Sequence, residues 1–474
     1  MGLIKFRLLR HRLKAKRYDS KNSAANKLSR AAHIKSGDEM LDSIWTDTIS
    51  LPHFPALEGD VKTDVLIIGA GLAGLMTAYV MKRSGIDCLV IEADQICSGI
   101  SRNTTAKITS QHGLIYHKLL QKANTDTAKK YWQAHQSALD QLRRLCNHIP
   151  CDFEEKDSYI YSVNQPNRLE QELHALSALN IPCEFVKDLP LPFPVAGAVK
   201  FSNQAQFHPL KFAAGIARGL NIYEHTAAQE INKHSVQTNR GTITAEHIVV
   251  TTHFPILNKH GSYFMKLYQD RSYVLALEHA PDLAGMYLDD TPSGLSMRNY
   301  GSFLLLGGGS HRTGKPSRGW IPLEEAASKY YPNAKKRFYW AAQDCMTLDS
   351  MAYIGQYSKH TPHLYVATGF NKWGMTSSML SAIILCDLIC GKTNPYSRLF
   401  SPSRSMMHPQ LFANAWDSAA NLLTFSAPRC PHMGCALKWN PAEHSWDCPC
   451  HGSRFTKDGT LLDNPATRNM NQKP

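Results

Sequence analysis

The stretch Asp64-Val-Leu-Ile-Ile-Gly69-Ala-Gly71-Leu-Ala-Gly74 begins a strand–turn–helix–strand pattern that ends at Glu92. Val65 to Ile68 is a short apolar strand of the kind that is buried on both faces of a parallel sheet. The three glycines have the G-x-G-x-x-G spacing, which permits a tight turn, close approach to a pyrophosphate and close helix–strand packing. The helix N-terminus then offers free N–H groups to the phosphates. A dinucleotide site is therefore predicted at Gly69, Gly71 and Gly74, with the Glu92 carboxylate accepting hydrogen bonds from a ribose.

Composition bounds the class of protein. The chain has 474 residues, 43% hydrophobic content and a net charge of +13, which suggests two or three domains. Residues 1–40 hold eleven Lys and Arg against three Asp and Glu, so eight of the thirteen charges lie there. We interpret residues 1–43 as a mobile basic extension, with membrane contact as the alternative and without a nucleic-acid partner, because aromatic residues are not interleaved with the basic ones. The absence of a signal-peptide core predicts a cytoplasmic protein.

Two further segments follow strands where a cofactor would lie. Small and hydroxyl residues come directly after the ribose-binding strand, and Arg102 among them can face a pyrophosphate. Thr252 ends the strand region Thr242 to Thr252, and a glycine-rich loop after Leu364–Ala367 leads into a helix whose N-terminus can stabilise negative charge. The predicted cofactor contacts in these segments are Ser101, Arg102, Asn103, Thr104, Thr105, Thr252, Gly369, Trp373, Gly374 and Met375.

Residues 62–395 resemble the glycine oxidase and D-amino-acid oxidase group of FAD-dependent oxidoreductases. The matching pieces include the glycine turn, Phe207-His208-Pro209, Leu306-Gly307-Gly308 and Thr368-Gly369. The resemblance implies bound FAD, hydride removal from a carbon–nitrogen bond, and an α/β (α+β) fold. In that fold a Rossmann-like FAD-binding domain, here residues 44–398, carries an inserted antiparallel-sheet substrate domain, roughly residues 150–225 and 262–340.

The chain departs from that group at the substrate site. Relatives that bind an amino-acid carboxylate often carry an Arg-Pro pair shortly before the Asp of the last cofactor strand, whereas the run Trp340–Asp349 contains no arginine. Arg298 and Arg312 are the candidates to replace it. His208 can face a substrate or serve only as a structural residue before Pro209. The catalytic residue itself is unknown.

Four of the twelve cysteines crowd into residues 430–450. Cys430-Pro-His432 and Cys448-Pro-Cys450-His451 together supply two thiolates and two imidazoles. This set suits a Rieske 2Fe–2S centre, in which both cysteines bind one iron and both histidines the other. It also suits a tetrahedral zinc ion.

The same motifs resemble Rieske domains, which implies a 2Fe–2S cluster held by Cys430, His432, Cys448 and His451 in a small all-β subdomain. The resemblance also implies a disulfide between Cys435 and Cys450. The region assigned to it, residues 426–474, is shorter than is usual, and residues 399–425 form a linker with a helix from Gln410 to Leu423. We therefore expect cluster occupancy to depend on docking against the flavin domain.

The sequence thus predicts an FAD-dependent oxidoreductase with an iron–sulfur centre. Its partners are a small amine or amino-acid-like reductant and an electron acceptor. The alternative is a redox-sensing or binding protein in which flavin and cluster are regulatory. A Rieske oxygenase is disfavoured because the sequence has no D/E-x-x-H-x(3–5)-H run for a mononuclear iron.

Overall fold

The computed structural model describes residues 41–424 and 428–470, so the predictions for residues 1–40 lie outside the described residues. The elements given below belong to the unit Ser43–Pro474. Its helices are α1 (Ile44–Thr48), α2 (Leu72–Arg83), α3 (Ile115–Lys122), α4 (Thr125–Cys146), α5 (Pro166–Ala178), α6 (Pro209–Ala217), α7 (Tyr263–Lys266), α8 (Ile321–Tyr330), α9 (Gly374–Ile389) and α10 (Pro409–Leu422). Within the described residues, none of these helices is long and apolar enough to cross a bilayer.

The strands of the described residues form three sheets. They are β1 (Val61–Ile68), β2 (Cys88–Ile91), β3 (Lys107–Ile108), β4 (Glu154–Ser162), β5 (Glu184–Val186), β6 (Gly197–Gln206), β7 (Asn221–Tyr223), β8 (Ala228–Ile231), β9 (Ser235–Thr238), β10 (Thr242–Val250), β11 (Leu267–Glu278), β12 (Gly285–Asp289), β13 (Ser296–Tyr300), β14 (Phe303–Arg312), β15 (Lys335–Thr347), β16 (Tyr353–Gln356), β17 (Leu364–Thr368), β18 (Lys438–Asn440), β19 (Ser445–Asp447), β20 (Arg454–Thr456) and β21 (Leu461–Asp463).

The first sheet has the strand order β16-β17-β10-β1-β2-β7, and β9 pairs β10 at its side. β17, β10, β1, β2 and β7 run parallel. The apolar run Val65 to Ile68 is buried, because the strand has neighbours on both sides and its alternate residues enter two separate apolar cores, one on each face of the sheet. The turn from β1 into α2 therefore lies at the carboxyl edge of the sheet, where ligands of open α/β sheets bind. The predicted Rossmann-like fold is confirmed.

The second sheet is the inserted substrate sheet. Its order is β15-β11-β14-β13-β12-β4-β6-β3, with β5 on β6, and every pair except β12–β4 is antiparallel. It draws on residues 107–108, 154–206 and 267–347, so it includes a short strand before the predicted first segment and reaches a few residues beyond the second, while β7 joins the first sheet. The glycine run Gly307-Gly308-Gly309 lies within β14, whose pairing with β11 shifts register between Arg271 and Tyr273.

The third sheet is small and lies at the carboxyl end. β18, β19, β20 and β21 pair in sequence order with antiparallel neighbours. The helix that precedes it was predicted from Gln410 to Leu423 and spans Pro409–Leu422, with Pro at its first turn. All four clustered cysteines are buried at one end of this sheet, in a small core that also contains Phe455.

Candidate cofactor sites

The glycine turn fits close packing at two positions. Gly69 has φ +105°, a conformation that L side chains rarely adopt. A Cβ at Gly74 would lie 1.9 Å from the Gly69 carbonyl oxygen, so α2 can pack against the turn only with glycine there. Ser101, predicted as a cofactor contact, lies over the start of this helix, since its hydroxyl accepts a hydrogen bond from the Leu72 N–H (3.0 Å). The turn and the following loop therefore form one site.

Glu92 lies at the carboxyl end of β2 beside the same turn. One carboxylate oxygen accepts a hydrogen bond from the Ala70 N–H (2.8 Å) and the other from the Asp94 N–H (3.1 Å). Burial raises the pKa of this carboxyl group, and the backbone donors oppose that shift. Glu92 therefore lies beside the glycine turn, and its contact with a ribose stays a prediction.

The loop of Asn103 to Ala106 is held by two tryptophans that the sequence analysis did not assign. The indole N–H of Trp45 donates to the Thr104 carbonyl oxygen (2.7 Å), and that of Trp340 donates to the Asn103 carbonyl oxygen (3.0 Å). The first tryptophan lies on α1 and the second on β15 of the substrate sheet. No local sequence pattern marks them, because each bond joins residues far apart in the chain.

The glycine-rich loop after β17 meets the same edge of the first sheet. The Thr368 hydroxyl donates to the His253 carbonyl oxygen (2.5 Å), which joins this loop to the segment after β10. Asn371, which the prediction omitted, donates to the Gly369 carbonyl oxygen (2.7 Å). Trp373 stacks on His112 with ring centroids 4.7 Å apart, and α9 begins at Gly374. The predicted residues of three segments are therefore brought together at the carboxyl edge of the sheet.

The three substrate candidates have different surroundings. His208 is buried; its ring accepts a hydrogen bond from the Lys211 N–H (3.1 Å) as the cap of α6 and contacts the Thr48 hydroxyl (2.6 Å). Arg312 faces the carboxyl-terminal region, with Nη1 3.1 Å from the Asp417 carboxylate and Nε donating to the Pro449 carbonyl oxygen (3.3 Å). Their contacts are thus structural and interfacial.

Arg298 differs from both. Its side chain is fully buried, its Nε and Nη1 have no hydrogen-bond partner among the described residues, and its guanidinium lies 5.3 Å over the ring of Trp45. Lys107, directly after the Asn103–Ala106 loop, contacts the Ser296 hydroxyl and the Tyr287 carbonyl oxygen (3.4 Å). Burial and then the charge of Arg298 lower the pKa of Lys107 to about 7. The buried Arg298, with the half-buried Lys107 beside it and no acid bonded to either, favours an anionic ligand.

The four cysteines of the carboxyl-terminal region converge. The Sγ atoms of Cys435, Cys448 and Cys450 all lie within 4.8 Å of one another, and all twelve thiols of the chain are free. Hydrogen bonding with Cys448 lowers the pKa of the Cys430 thiol, and the Ser453 hydroxyl contributes to the same shift. The same hydrogen bond raises the pKa of Cys448, so Cys430 is the thiol of this pair that ionises first to the thiolate, which is the form that binds a metal.

The two histidines present matching nitrogens to this pocket. The ring centroids of His432 and His451 are 5.0 Å apart, and Nδ1 of each ring is buried without a hydrogen-bond partner among the described residues. The Nε2 atoms are both bound, at 2.9 Å from the Asn258 side-chain oxygen and at 3.0 Å from the Phe264 carbonyl oxygen. Because a carbonyl oxygen only accepts, Nε2 of His451 carries the proton and Nδ1 is left with its lone pair free to bind a metal.

The spacing separates the two metal hypotheses. A tetrahedral zinc ion, with bonds of roughly 2.0 to 2.3 Å, would hold all four ligand atoms within about 4.6 Å of one another. Among the described residues, the group within 4.8 Å consists of Cys435, Cys448 and Cys450, so it contains neither Cys430 nor either histidine. The four proposed ligands therefore do not form one tetrahedral zinc set, whereas two thiolates and two imidazoles suit the two irons of a Rieske centre.

The cluster region docks on the substrate sheet through buried polar contacts. Gln269 donates to the His451 carbonyl oxygen (2.7 Å), and Gln343 donates to the Gly452 carbonyl oxygen (2.9 Å). Nε of Arg271 donates to the Glu443 carboxylate (2.9 Å). Asn464, which follows β21, donates to the Phe254 carbonyl oxygen (3.0 Å). The oxidoreductase domain therefore supplies surface that the short carboxyl-terminal sheet lacks.

Comparisons with known proteins cover both parts of the chain. The family model described as FAD dependent oxidoreductase matches residues 64–388, and that of the Rieske [2Fe-2S] domain matches residues 415–474. The Rieske 2Fe-2S iron-sulfur protein YhfW of Bacillus subtilis (strain 168) is 33% identical over an alignment of 497 residues, which covers 92% of this chain and 98% of that protein.

Solved structures resemble the larger domain. L-proline dehydrogenase from P. horikoshii gives a TM-score of 0.62 at 16% identity, and glycine oxidase from Geobacillus kaustophilus gives 0.61 at 18% identity. Each covers 73% of this chain, with 98% and 99% of the respective neighbour. At these identities the likeness establishes the fold alone.

Proposed function

We propose that this chain, which belongs to the FAD dependent oxidoreductase family and ends in a Rieske [2Fe-2S] domain, oxidises a small amine or amino-acid-like substrate and delivers the electrons to an acceptor. When bound, FAD supplies two-electron chemistry and the cluster supplies one-electron transfer. Residues 44–398 would form the oxidoreductase domain, residues 399–425 the linker and residues 426–474 the cluster domain.

The observation that carries this proposal is the segment after β10, which both sites share. Thr251 packs closely against Gly69, since a Cβ at Gly69 would lie 2.9 Å from the Thr251 carbonyl oxygen. Three residues later, the ring of Phe254 lies 6.3 Å from that of His432 and 6.1 Å from that of His451, measured between centroids. One short segment therefore touches the dinucleotide turn and both predicted cluster ligands.

The predicted ligand set Cys430, His432, Cys448 and His451 is supported by two observations. The Nδ1 atoms of both histidines are buried without partners, and the Cys430 thiol has a lowered pKa beside Cys448. Cys435 and Cys450 would form the disulfide beside these loops. Their Sγ atoms lie within 4.8 Å of each other as free thiols, so a modest approach would bring them to bonding distance of about 2.05 Å.

The substrate would carry a carboxylate or another anionic group. Arg298 is buried and Lys107 is half-buried on the side of the substrate sheet that meets the Asn103–Ala106 loop, and neither forms an ion pair among the described residues. An anion bound between them would satisfy nitrogen atoms of Arg298 that otherwise lack partners. We also propose a cytoplasmic location, because the eight cysteines outside the cluster region are free thiols.

Anaerobic mixing with a panel of amines and amino acids tests the proposal. We expect at least one compound to bleach the flavin absorbance and the cluster EPR signal to appear on the same timescale. A flavin that no compound reduces, in a protein whose partner binding changes with redox state, would instead support the regulatory alternative. A reduced flavin beside a cluster that stays oxidised would contradict the proposed electron transfer from flavin to cluster.

A further inference from the structure

The outer nitrogens of both cluster histidines are covered by the oxidoreductase domain. Asn258 belongs to the segment between β10 and α7, and Phe264 lies within α7. His432 reaches the Asn258 side-chain oxygen at 2.9 Å, and His451 reaches the Phe264 carbonyl oxygen at 3.0 Å. Neither acceptor lies near its histidine in the sequence, so both bonds exist only because the two domains dock.

The backbone directly before Asn258 is anchored. The Tyr357 hydroxyl donates to the Leu257 carbonyl oxygen (2.6 Å), directly before Asn258, and Tyr357 itself is buried. Asn258 is exposed, and its side-chain oxygen bonds Nε2 of His432. A side chain with little burial and a fixed backbone can be replaced with little effect on folding.

We propose that Asn258 is a positioning residue for the iron–sulfur centre: through its bond to Nε2 of His432 it orients the imidazole and tunes the reduction potential of the cluster. The Phe264 carbonyl oxygen has the same role at His451. The proposal depends on the ligand set proposed above. Outer-sphere hydrogen bonds to histidine ligands fix the tautomer and raise ligand basicity.

The sign of the effect follows from electrostatics. An acceptor oxygen at the Nε2–H group makes the imidazole a stronger donor to iron, and so it stabilises the oxidised cluster relative to the reduced one. Removing the acceptor should therefore raise the potential. Replacing the amide with a carboxylate strengthens the bond and adds a negative charge, which should lower the potential. A residue with only a structural role would not give shifts of opposite sign.

The test uses the full-length protein with its cofactors, reduced with dithionite so that no substrate is needed. The cluster potential is measured by an EPR-monitored titration in the wild type, Asn258→Leu and Asn258→Asp, and iron content is measured in each. Asn147→Leu serves as the control, because Asn147 is exposed at the C-cap of α4. Pulsed EPR then reports the couplings of the two histidine nitrogens.

We expect Asn258→Leu to raise the potential and Asn258→Asp to lower it, each by about a tenfold change in the reduction equilibrium, which is about 59 mV for one electron. Asn147→Leu should have the wild-type potential. In the Asn258 variants the nitrogen couplings of one histidine should change, while those of the other histidine stay as in the wild type. Shifts of equal sign, no shift, or couplings that stay the same would overturn the proposal. An enzyme that oxidises no amine would refute the proposed function and leave this measurement intact.

Discussion

Replacing Arg271 with methionine should loosen the docked cluster domain. Arg271 lies on β11 with its side chain 8% exposed, and it pairs with Glu443, whose side chain is 6% exposed. Methionine keeps much of the volume but removes the charge and both hydrogen bonds. Glu443 would retain Arg454, whose Nη2 lies 2.8 Å from the carboxylate. The carboxylate is therefore left half-satisfied rather than isolated.

The size of the effect can be worked from two directions. Breaking a buried ion pair typically costs about 3–5 kcal/mol when the remaining charge has no partner. Separately, the pKa of Glu443 is lowered from 4.5 to about 2, mainly by Arg271 and Arg454 against the opposing effect of burial. That shift corresponds to roughly 3 kcal/mol shared between the two arginines. We therefore expect a loss of about 2 kcal/mol.

Hydrogen exchange of the holoprotein measures this loss locally. A loss of about 2 kcal/mol makes subglobal opening roughly 30-fold more frequent, so amides of β19 and β20 should exchange about that much faster. Strands β1 and β10 should be unchanged. Arg318→Met is the matched control, because its pair with Glu325 is about 60% exposed on both sides and should contribute less than about 0.5 kcal/mol.

The reasoning is refuted if Arg271→Met exchanges like the control, since the interface would then not depend on this pair. It is also refuted if β1 and β10 lose protection equally, because the variant would then weaken the whole fold rather than the docking. A double-mutant cycle with Glu443→Gln isolates the pairwise energy.

Three further predictions concern the two cofactor sites. Gly74→Ala should abolish FAD retention, because the added Cβ would lie 1.9 Å from the Gly69 carbonyl oxygen. Gly99→Ala is the control and should retain FAD, because no atom lies within 4 Å of a Cβ at that position. Equal flavin absorbance in the two purified variants would contradict this prediction. Because the pKa of Glu443 is lowered in the folded protein, the stabilisation by its carboxylate is complete above pH 4.5 and is lost as the pH falls towards 2. Hydrogen-exchange protection of β20, corrected for intrinsic exchange rates, should therefore decline between pH 4.5 and 2. Glu443→Gln should remove this pH dependence. Arg298→Met should raise KM at least tenfold for an amine substrate that carries an anionic group, and Arg298→Lys should raise KM less. An effect on kcat alone would mean that the anionic group binds elsewhere.

The local motifs were predictable from the sequence because each is set by neighbours in the chain. The glycine spacing requires only the strand that precedes it and the helix that follows, and the Cys-x-His and Cys-x-x-His pairs each lie in one loop. The inserted antiparallel sheet was expected from the family resemblance, which rests on the same kind of local motif.

The docking surface was not predictable in this way. Gln269 and His451 are 182 residues apart, and Arg271 and Glu443 are 172 residues apart. A single glutamine or arginine in a strand leaves no periodic signal, and its partner is decided only when the domains meet. The contacts of Trp45 and Trp340 were equally unpredictable, because their indole groups bond the distant Asn103–Ala106 loop.

Helix α10 shows how tertiary contacts can reverse an expected burial pattern. Its Phe412 and Trp416 are 65% and 76% exposed, while Asn414 and Asn421 are buried. The polar face turns inward because it carries hydrogen-bond partners: the Asn414 side chain accepts from Arg312 (2.9 Å), and the Asn421 carbonyl oxygen accepts from the Ala436 N–H (3.0 Å). Apolar patterning alone would have placed the opposite face against the protein.

The most direct test of the central claim is cofactor stoichiometry combined with EPR on the purified full-length protein. Two electron carriers in one chain require one flavin, two irons and two labile sulfides per chain. The reduced protein should then give a rhombic signal with two histidine nitrogen couplings. One flavin accompanied by zinc, or by no metal at the four proposed ligands, would contradict the account.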